Sequence, residues 1–400
     1  MDGVSLGIYT SVPFCRTKCS YCNFASDVFS RAVFERYVDR VCADIAKADE
    51  TAAEMDVQID RNVDSIYMGG GTPTVLEPDQ LKRMFDAVRA QFPVTPDVEV
   101  TVECAPGTLT PQVLDTLLRC GVNRVSLGVQ SFIDREAAAV GRLHKRASVL
   151  NDIARLRSSG ITNINLDLIA GLPHQTVESW NESLDEAIAA RVPHVSVYML
   201  EVDDDSRLGR ELIAGGTRYH AHFVPDEEAV ADFYVTACEA LGAAGVAQYE
   251  ISNFARGRFE SRHNLKYWTR QSYLGFGVDA HSMLLSVLPD VAAVRFATAD
   301  SLEKYVAGSG LQKTEVSAAG ALEEIFFLGL RLNRGVDLNE IARACTPIQL
   351  DLYRSIIAEL LSDGLLEESE NHVRLTSRGH LLSNEVFQRF LAPAIPAAKV

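Results

Sequence analysis

A chain of 400 residues, 47% of them hydrophobic, is long enough for two domains or one large domain with an appendage, and too apolar for disorder to be its default state. Its 38 Lys and Arg against 54 Asp and Glu leave a net charge of −16, which argues against a non-specific nucleic-acid binder and against a polybasic membrane anchor. No apolar run approaches the ~20 residues of a spanning helix, and the first residues carry no basic-then-apolar leader, so a cytoplasmic protein is expected, with at most peripheral, client-mediated membrane contact.

From Gly7 to Leu200 short apolar runs alternate with helical patterns. Strands are expected at Gly7–Val12, Ser65–Met68, Val98–Cys104, Arg124–Gln130, Ile164–Ile169 and His194–Leu200. Helices are expected between them at Phe29–Ala48, Pro78–Phe92, Pro111–Cys120 (with Thr110 as its cap), Ala147–Ser158 and Val177–Ala190. A strand followed by a helix, repeated, requires right-handed crossovers and a parallel sheet. Six such units do not close an eight-fold barrel, so the expected fold is α/β, an open, partial (β/α)6 barrel whose functional groups gather at the C-terminal strand ends.

Residues 201–225 read as an irregular, charged excursion, Asp226–Ala244 as a helix, and Val246–Phe254 as a strand and turn. The expected organisation is a barrel with its extension over 1–290, a connecting region over 291–319, and a C-terminal domain over 320–400. The last has helices at Ala321–Leu332, Leu338–Ala344 and Gln349–Asp363, a strand pair about Asn371-His372, and a helix over Ser377–Phe390, a winged-helix-like α+β pattern. Its residues 320–390 hold 11 acidic and 7 basic side chains, so packing or lid duty is expected there and no nucleic-acid partner.

In a reducing compartment eight cysteines read as thiols or metal ligands rather than disulfides. Cys42, Cys104, Cys120, Cys238 and Cys345 are isolated and read as small buried hydrophobes. Cys15, Cys19 and Cys22 stand at C-x3-C-x2-C spacing with Tyr21 before the last, and no fourth ligand follows to complete a zinc site. Arg16 and Lys18 are placed to offset thiolate charge. This loop resembles that of the radical S-adenosylmethionine (SAM) enzymes, which implies a [4Fe–4S] cluster on three thiolates with one iron left for a small molecule. Beside it, Gly69-Gly70-Gly71-Thr72-Pro73 at a strand end matches the glycine motif that receives the amino group of SAM. Glu103 at the end of strand three, and Gln130, Arg142 and Asp167 after strands four and five, supply polar groups for ribose, carboxylate and adenine.

Further motifs narrow the resemblance. Tyr9, the cysteine loop, Gly128-Val-Gln130, Gly141-Arg142-Leu-His144, Asp167-Leu-Ile-Ala-Gly-Leu-Pro173, Tyr249-Glu-Ile-Ser-Asn-Phe-Ala255 and His263-Asn-Leu-Lys-Tyr-Trp268 together resemble the HemW-type haem chaperones. These are radical SAM relatives of HemN, the oxygen-independent coproporphyrinogen III dehydrogenase of porphyrin biosynthesis. The resemblance implies binding of a [4Fe–4S] cluster, SAM and haem, and delivery of haem to client haem proteins such as respiratory cytochromes; homodimer formation is left open. It ties His263-Asn264-x-x-Tyr267-Trp268 to haem and makes His263 the candidate iron ligand. Porphyrinogen oxidation is the alternative. Phe24, where the dehydrogenase has a further cysteine, and the mere eight residues before Tyr9 argue against it. The family's Ile-His pair after the first tyrosine is replaced by Thr10-Ser11, and a common glycine by Asp279.

Overall fold

The computed structural model describes residues 5–204 and 206–391. Twelve strands form one sheet: β1 (Leu6–Val12), β2 (Val63–Gly70), β3 (Val94–Cys104), β4 (Arg124–Gln130), β5 (Asn163–Ala170), β6 (His194–Met199), β7 (Ala247–Glu250), β8 (Asn253–Ala255), β9 (Tyr273–Phe276), β10 (His281–Leu285), β11 (Val291–Ala297) and β12 (Gln312–Ser317). β1 to β6 lie side by side in chain order and parallel, as an open partial barrel requires. β9 adds to β1 in parallel and β10 to β12 continue antiparallel; β8 and β7 extend the β6 edge antiparallel.

The six parallel strands share one alternation. Ile8, Ile66, Val100, Val125, Leu127, Ile164, Leu166 and Val195 point outward and are buried under the crossover helices. The intervening residues point into the barrel, and most are polar: Tyr9 and Ser11, Ser65 and Tyr67, Glu99 and Glu103, Ser126 and Gln130, Asn165 and Asp167, His194 and Ser196. A polar lining that excludes bulk water must bond to itself or to a ligand. The lower half bonds to itself. Asn165 Nδ2 donates to Ser126 Oγ (2.8 Å) and Ser196 Oγ (3.0 Å), Ser196 Oγ donates to Asn253 Oδ1 (2.7 Å), and His194 bridges Asn165 Oδ1 (2.6 Å) and Tyr249 OH (3.0 Å).

Several expected elements take a different form. The helix expected over Phe29–Ala48 begins as a tight turn at Arg31–Val33, runs Phe34–Ala46, and breaks at Lys47 before a second helix, Ala48–Glu54. The excursion over 201–225 contains a helix, Arg207–Ala214, capped by Ser206 and closed by Gly215 in the left-handed region (φ 68°). It forms because Leu208 and Gly209 bury against the rest of the chain; a Cβ on Gly209 would lie 2.0 Å from the Asp203 carbonyl oxygen. Asp167 lies inside β5 rather than after it. The stretch 291–319, expected as a connector, carries β11 and β12, because β10 leaves an edge that Val291–Ala297 pairs.

Beyond it come helices Ala318–Gly329, Leu338–Ala344 and Pro347–Ser362, a small sheet of β13 (Val336–Asp337), β15 (His372–Leu375) and β14 (Leu366–Ser369), and two helices, Ser377–Leu381 and Ser383–Phe390, where one was expected. This unit has its own core, with Phe326 stacked on Phe390 at 4.6 Å and Tyr353 beside them. It is tied to the sheet by the Glu324 carboxylate, which accepts from Arg270 Nε (2.6 Å) and Arg295 Nε (3.0 Å), and by Arg331 over the Trp268 ring (4.3 Å). Among the described residues no helix is long and apolar enough to cross a membrane.

Candidate cluster and cofactor site

The three cysteines follow β1 directly, on a loop held at both ends. Phe14 anchors it in the core between Phe34 (stacked, 3.9 Å), Phe29 and Tyr37. Cys15 N–H donates to Asp27 O (3.0 Å), and Lys18 Nζ donates to the carbonyls of Phe24 (2.7 Å) and Ser26 (2.6 Å). Lys18 thus closes the loop on itself. Thr72 Oγ1 lies 3.9 Å from Cys15 Sγ, and Ser26 Oγ 3.9 Å from Cys22 Sγ. Burial pushes the Cys15 thiol up, with smaller contributions of the same sign from Cys22 and Cys19. The three thiols sense one another, yet among the described residues no three His, Cys, Asp or Glu side chains close on the position of a single ion.

The glycine stretch passes under the loop at close range. Gly71 N–H donates to Val12 O (2.7 Å), and a Cβ at Gly71 would meet Val12 O and Phe14 O at 2.8 Å and Cys15 Sγ at 3.0 Å. Gly70 sits at φ 100°, open only to glycine at low cost, and its N–H donates to Glu103 Oε2 (3.1 Å). Tyr67 OH donates to the other oxygen, Glu103 Oε1 (2.8 Å). Burial, then the nearby Asp167 charge, pushes the Glu103 carboxyl up to about 7. Burial likewise raises the Asp167 carboxyl, opposed by hydrogen bonds, among them those from Ser126 Oγ (2.9 Å) and Asn165 Nδ2 (2.7 Å). Burial and the Glu103 charge raise the Tyr9 hydroxyl.

Gln130 ends β4 at φ 67°, and with Arg142 it packs over Gly128; a Cβ there would meet Arg142 Nη2 at 2.8 Å and Gln130 Nε2 at 3.2 Å. Arg142 Nε is buried without a hydrogen-bond partner, although its guanidinium feels Tyr21, Cys19, Asp167 and Cys15. An orphaned guanidinium nitrogen near the Cys15 and Cys19 thiols fits a ligand carboxylate, and the Glu103 carboxylate fits a ligand amine. The fold thus gathers Tyr9, Cys15, Cys19, Tyr21, Cys22, Gly70, Gly71, Thr72, Glu103, Gln130, Arg142 and Asp167 into one mouth. Tyr67 and Tyr198, which line the same cavity, were not singled out from sequence, although the polar alternation along β2 and β6 carries them.

His263 lies directly beneath this mouth, its ring 5.3 Å from that of Tyr67 and 6.3 Å from that of Tyr9. The helix Arg262–Trp268, capped by Ser261, plugs the lower end of the barrel. His263 is 1% exposed; Nδ1 bonds Ser65 Oγ (3.0 Å) and Nε2 bonds Tyr267 OH (2.9 Å). Burial, then Lys266 and Arg124, pushes the imidazole down to about 3, so the ring is neutral and both nitrogens are engaged. Asp279 takes φ 51°, which accounts for the glycine common at that position.

A parallel six-strand partial barrel with three cysteines after β1, a glycine strap after β2 and a winged C-terminal unit defines a radical SAM protein of the HemN type. Family models agree: Radical SAM superfamily over residues 9–187 and HemN C-terminal domain over 316–382. The Escherichia coli coproporphyrinogen III oxidase HemN, described as a radical SAM enzyme, has the same fold, with a TM-score of 0.81 at 23% identity over 97% of this chain and 90% of that one. The chain is 34% identical to the haem chaperone HemW of Bacillus subtilis over 96% of this chain and 98% of the relative. It is 31% identical to that of Escherichia coli, over 97% and 98%. The chain belongs to the HemW haem chaperone family.

Proposed function

We propose that the protein holds a [4Fe–4S] cluster on Cys15, Cys19 and Cys22, SAM against Gly70, Glu103 and Arg142, and haem, which it delivers to client haem proteins such as respiratory cytochromes. The observation that carries the cofactor part is the opposed pair of groups beside the thiols: the Arg142 Nε without a partner and the Glu103 carboxylate on the Gly70 N–H. They match the carboxylate and amine of one amino-acid ligand. When bound, the cluster supplies one-electron chemistry on SAM; the chain's own part is to bind, orient and shield. Tyr9, Tyr21, Thr72, Gln130 and Asp167 complete that enclosure. The haem part rests on membership of the HemW family. A role for His263 as iron ligand requires the bond to Ser65 or Tyr267 to open and the floor of the barrel to uncover. A cytoplasmic location goes with this reading.

Anaerobic reconstitution followed by two assays tests the proposal. Stoichiometric haem uptake, and haem transfer to an apo-cytochrome without formation of protoporphyrinogen, is the expected result. Turnover of coproporphyrinogen would sink it in favour of the dehydrogenase reaction.

A further inference from the structure

β2 and β3 run parallel on the barrel wall, with Tyr67 opposite Thr101 and Met68 opposite Val102. By the same register, the next inward level toward the mouth holds Gly69 on β2 and Glu103 on β3. The space above Gly69 is taken: a Cβ there would lie 2.8 Å from Glu103 Cδ and Oε1 and 2.9 Å from Tyr67 Cε1. A glycine at 69 therefore lets the carboxylate lean across to β2, where the Tyr67 hydroxyl reaches it from the level below.

The carboxylate is gripped at both oxygens. Tyr67 OH donates to Oε1 (2.8 Å) and Gly70 N–H to Oε2 (3.1 Å). Among the described residues no other side chain bonds it. The phenol is itself held, its ring centroid 5.3 Å from that of His263 and 6.1 Å from that of Tyr9, while His263 is bonded to Ser65 and Tyr267. Burial, then the Glu103 charge, pushes the Tyr67 hydroxyl well up, so it stays a donor at neutral pH.

A hydroxyl that donates to a carboxylate favours the ionised form, and such a bond is about twice as strong as one between neutral groups. It opposes burial and the Asp167 charge on β5, both of which favour the protonated form of Glu103. Arg124 on β4 acts in the same sense as Tyr67, without a bond. The remaining groups that feel the Glu103 charge are the phenols of Tyr9 on β1, Tyr198 on β6 and Tyr267 on the floor helix. A carboxylate accepts at both oxygens, whereas a neutral carboxyl carries a proton on one of them. The state that Tyr67 favours is thus the one that suits an amine.

We propose that Tyr67 is a positioning residue of the cofactor mouth: acting through Glu103, it holds the carboxylate against the Gly70 strap as the acceptor for the ligand amine, in room that Gly69 provides. This deepens the reading of Glu103 as the group that meets the amine of SAM, and rests on it.

Tyr67→Phe tests it, because it keeps the ring and removes one hydroxyl. Two measurements are made from about pH 6 to about pH 9. One is SAM affinity of the anaerobically reconstituted full chain by titration calorimetry. The other is the Glu103 carboxyl band in infrared difference spectra of the unreconstituted chain, assigned by its loss in Glu103→Ala. Tyr67→Phe is expected to move the Glu103 midpoint upward from about 7, by about one pH unit. It is expected to weaken SAM binding about fivefold or more near neutral pH, with the gap to wild type narrowing as pH rises. In a Glu103→Ala background it should change the affinity by less than about twofold. The ligand's own titration is common to all variants and cancels between them. An unmoved midpoint, or the same loss of affinity in both backgrounds, overturns the positioning role, since packing alone would act without Glu103. Wild type that takes up no SAM overturns the cofactor reading and the ligand role with it, while a shifted infrared midpoint would leave Tyr67 the group that sets Glu103. Far-UV circular dichroism of each variant separates these outcomes from misfolding.

Discussion

The floor and the mouth of the barrel are built from the same kinds of side chain and behave oppositely. On the floor, His194, His263, Ser65, Asn165, Ser196 and Tyr249 bond one another with little left over. At the mouth, Arg142 Nε has no partner and Glu103 is pushed up to about 7. Enclosed polar groups cost free energy unless paired. The named floor groups have met that cost among themselves, with Arg124 Nε beside them left unpaired, whereas at the mouth the unpaired Arg142 Nε adjoins the thiols and is left for a ligand to offset. The lesson is that a histidine in a family motif must be judged by which of its ring nitrogens is already engaged.

The largest expected break falls on the cluster loop. Cys19→Ser removes one of three thiol ligands, and iron and sulfide per reconstituted chain should fall to background while far-UV circular dichroism holds; full retention of iron would remove the loop from the site. Next is the floor. His263→Ala deletes two buried hydrogen bonds and leaves a void, so urea unfolding should show a loss of ~2–4 kcal/mol. A loss below ~0.5 kcal/mol would mean that the plug is not structural.

A smaller effect tests the mouth. Glu103 titrates near 4.5 when unfolded and about 7 when folded, so the folded state binds the extra proton between those values. Stability should therefore decline as pH rises from about 4.5 to about 7 and level off above, by up to ~2–3 kcal/mol. Glu103→Gln should flatten that part of the profile in urea melts at stepped pH, and an unchanged slope would assign it to another group. Smallest is Phe24→Ala: the side chain is 65% exposed, so stability should shift by no more than ~0.5 kcal/mol, with the cluster content unaltered.

Much of this was legible in the chain. Outward Val, Ile and Leu at every second strand position, Thr110-Pro111 opening a helix, and three cysteines after the first strand depend on local periodicity and spacing, which sequence carries directly. The same alternation marked the inward polar residues, including Tyr67, but their role needed the six strands to be laid side by side. The short helix Arg207–Ala214 was illegible because what holds it is burial of Leu208 against a loop nearly 190 residues earlier. β11 was hidden by the proline and glycine punctuation around it, since an edge strand is decided by the neighbour that pairs it.

Sequence alone determined the parallel six-strand barrel, the cysteine loop and the family motifs. Only tertiary structure decided that His144, His194, His263 and His380, of nine histidines, are sealed. A ring nitrogen's availability depends on partners far away in the chain, such as Ser65 for His263, and on whether water still reaches it.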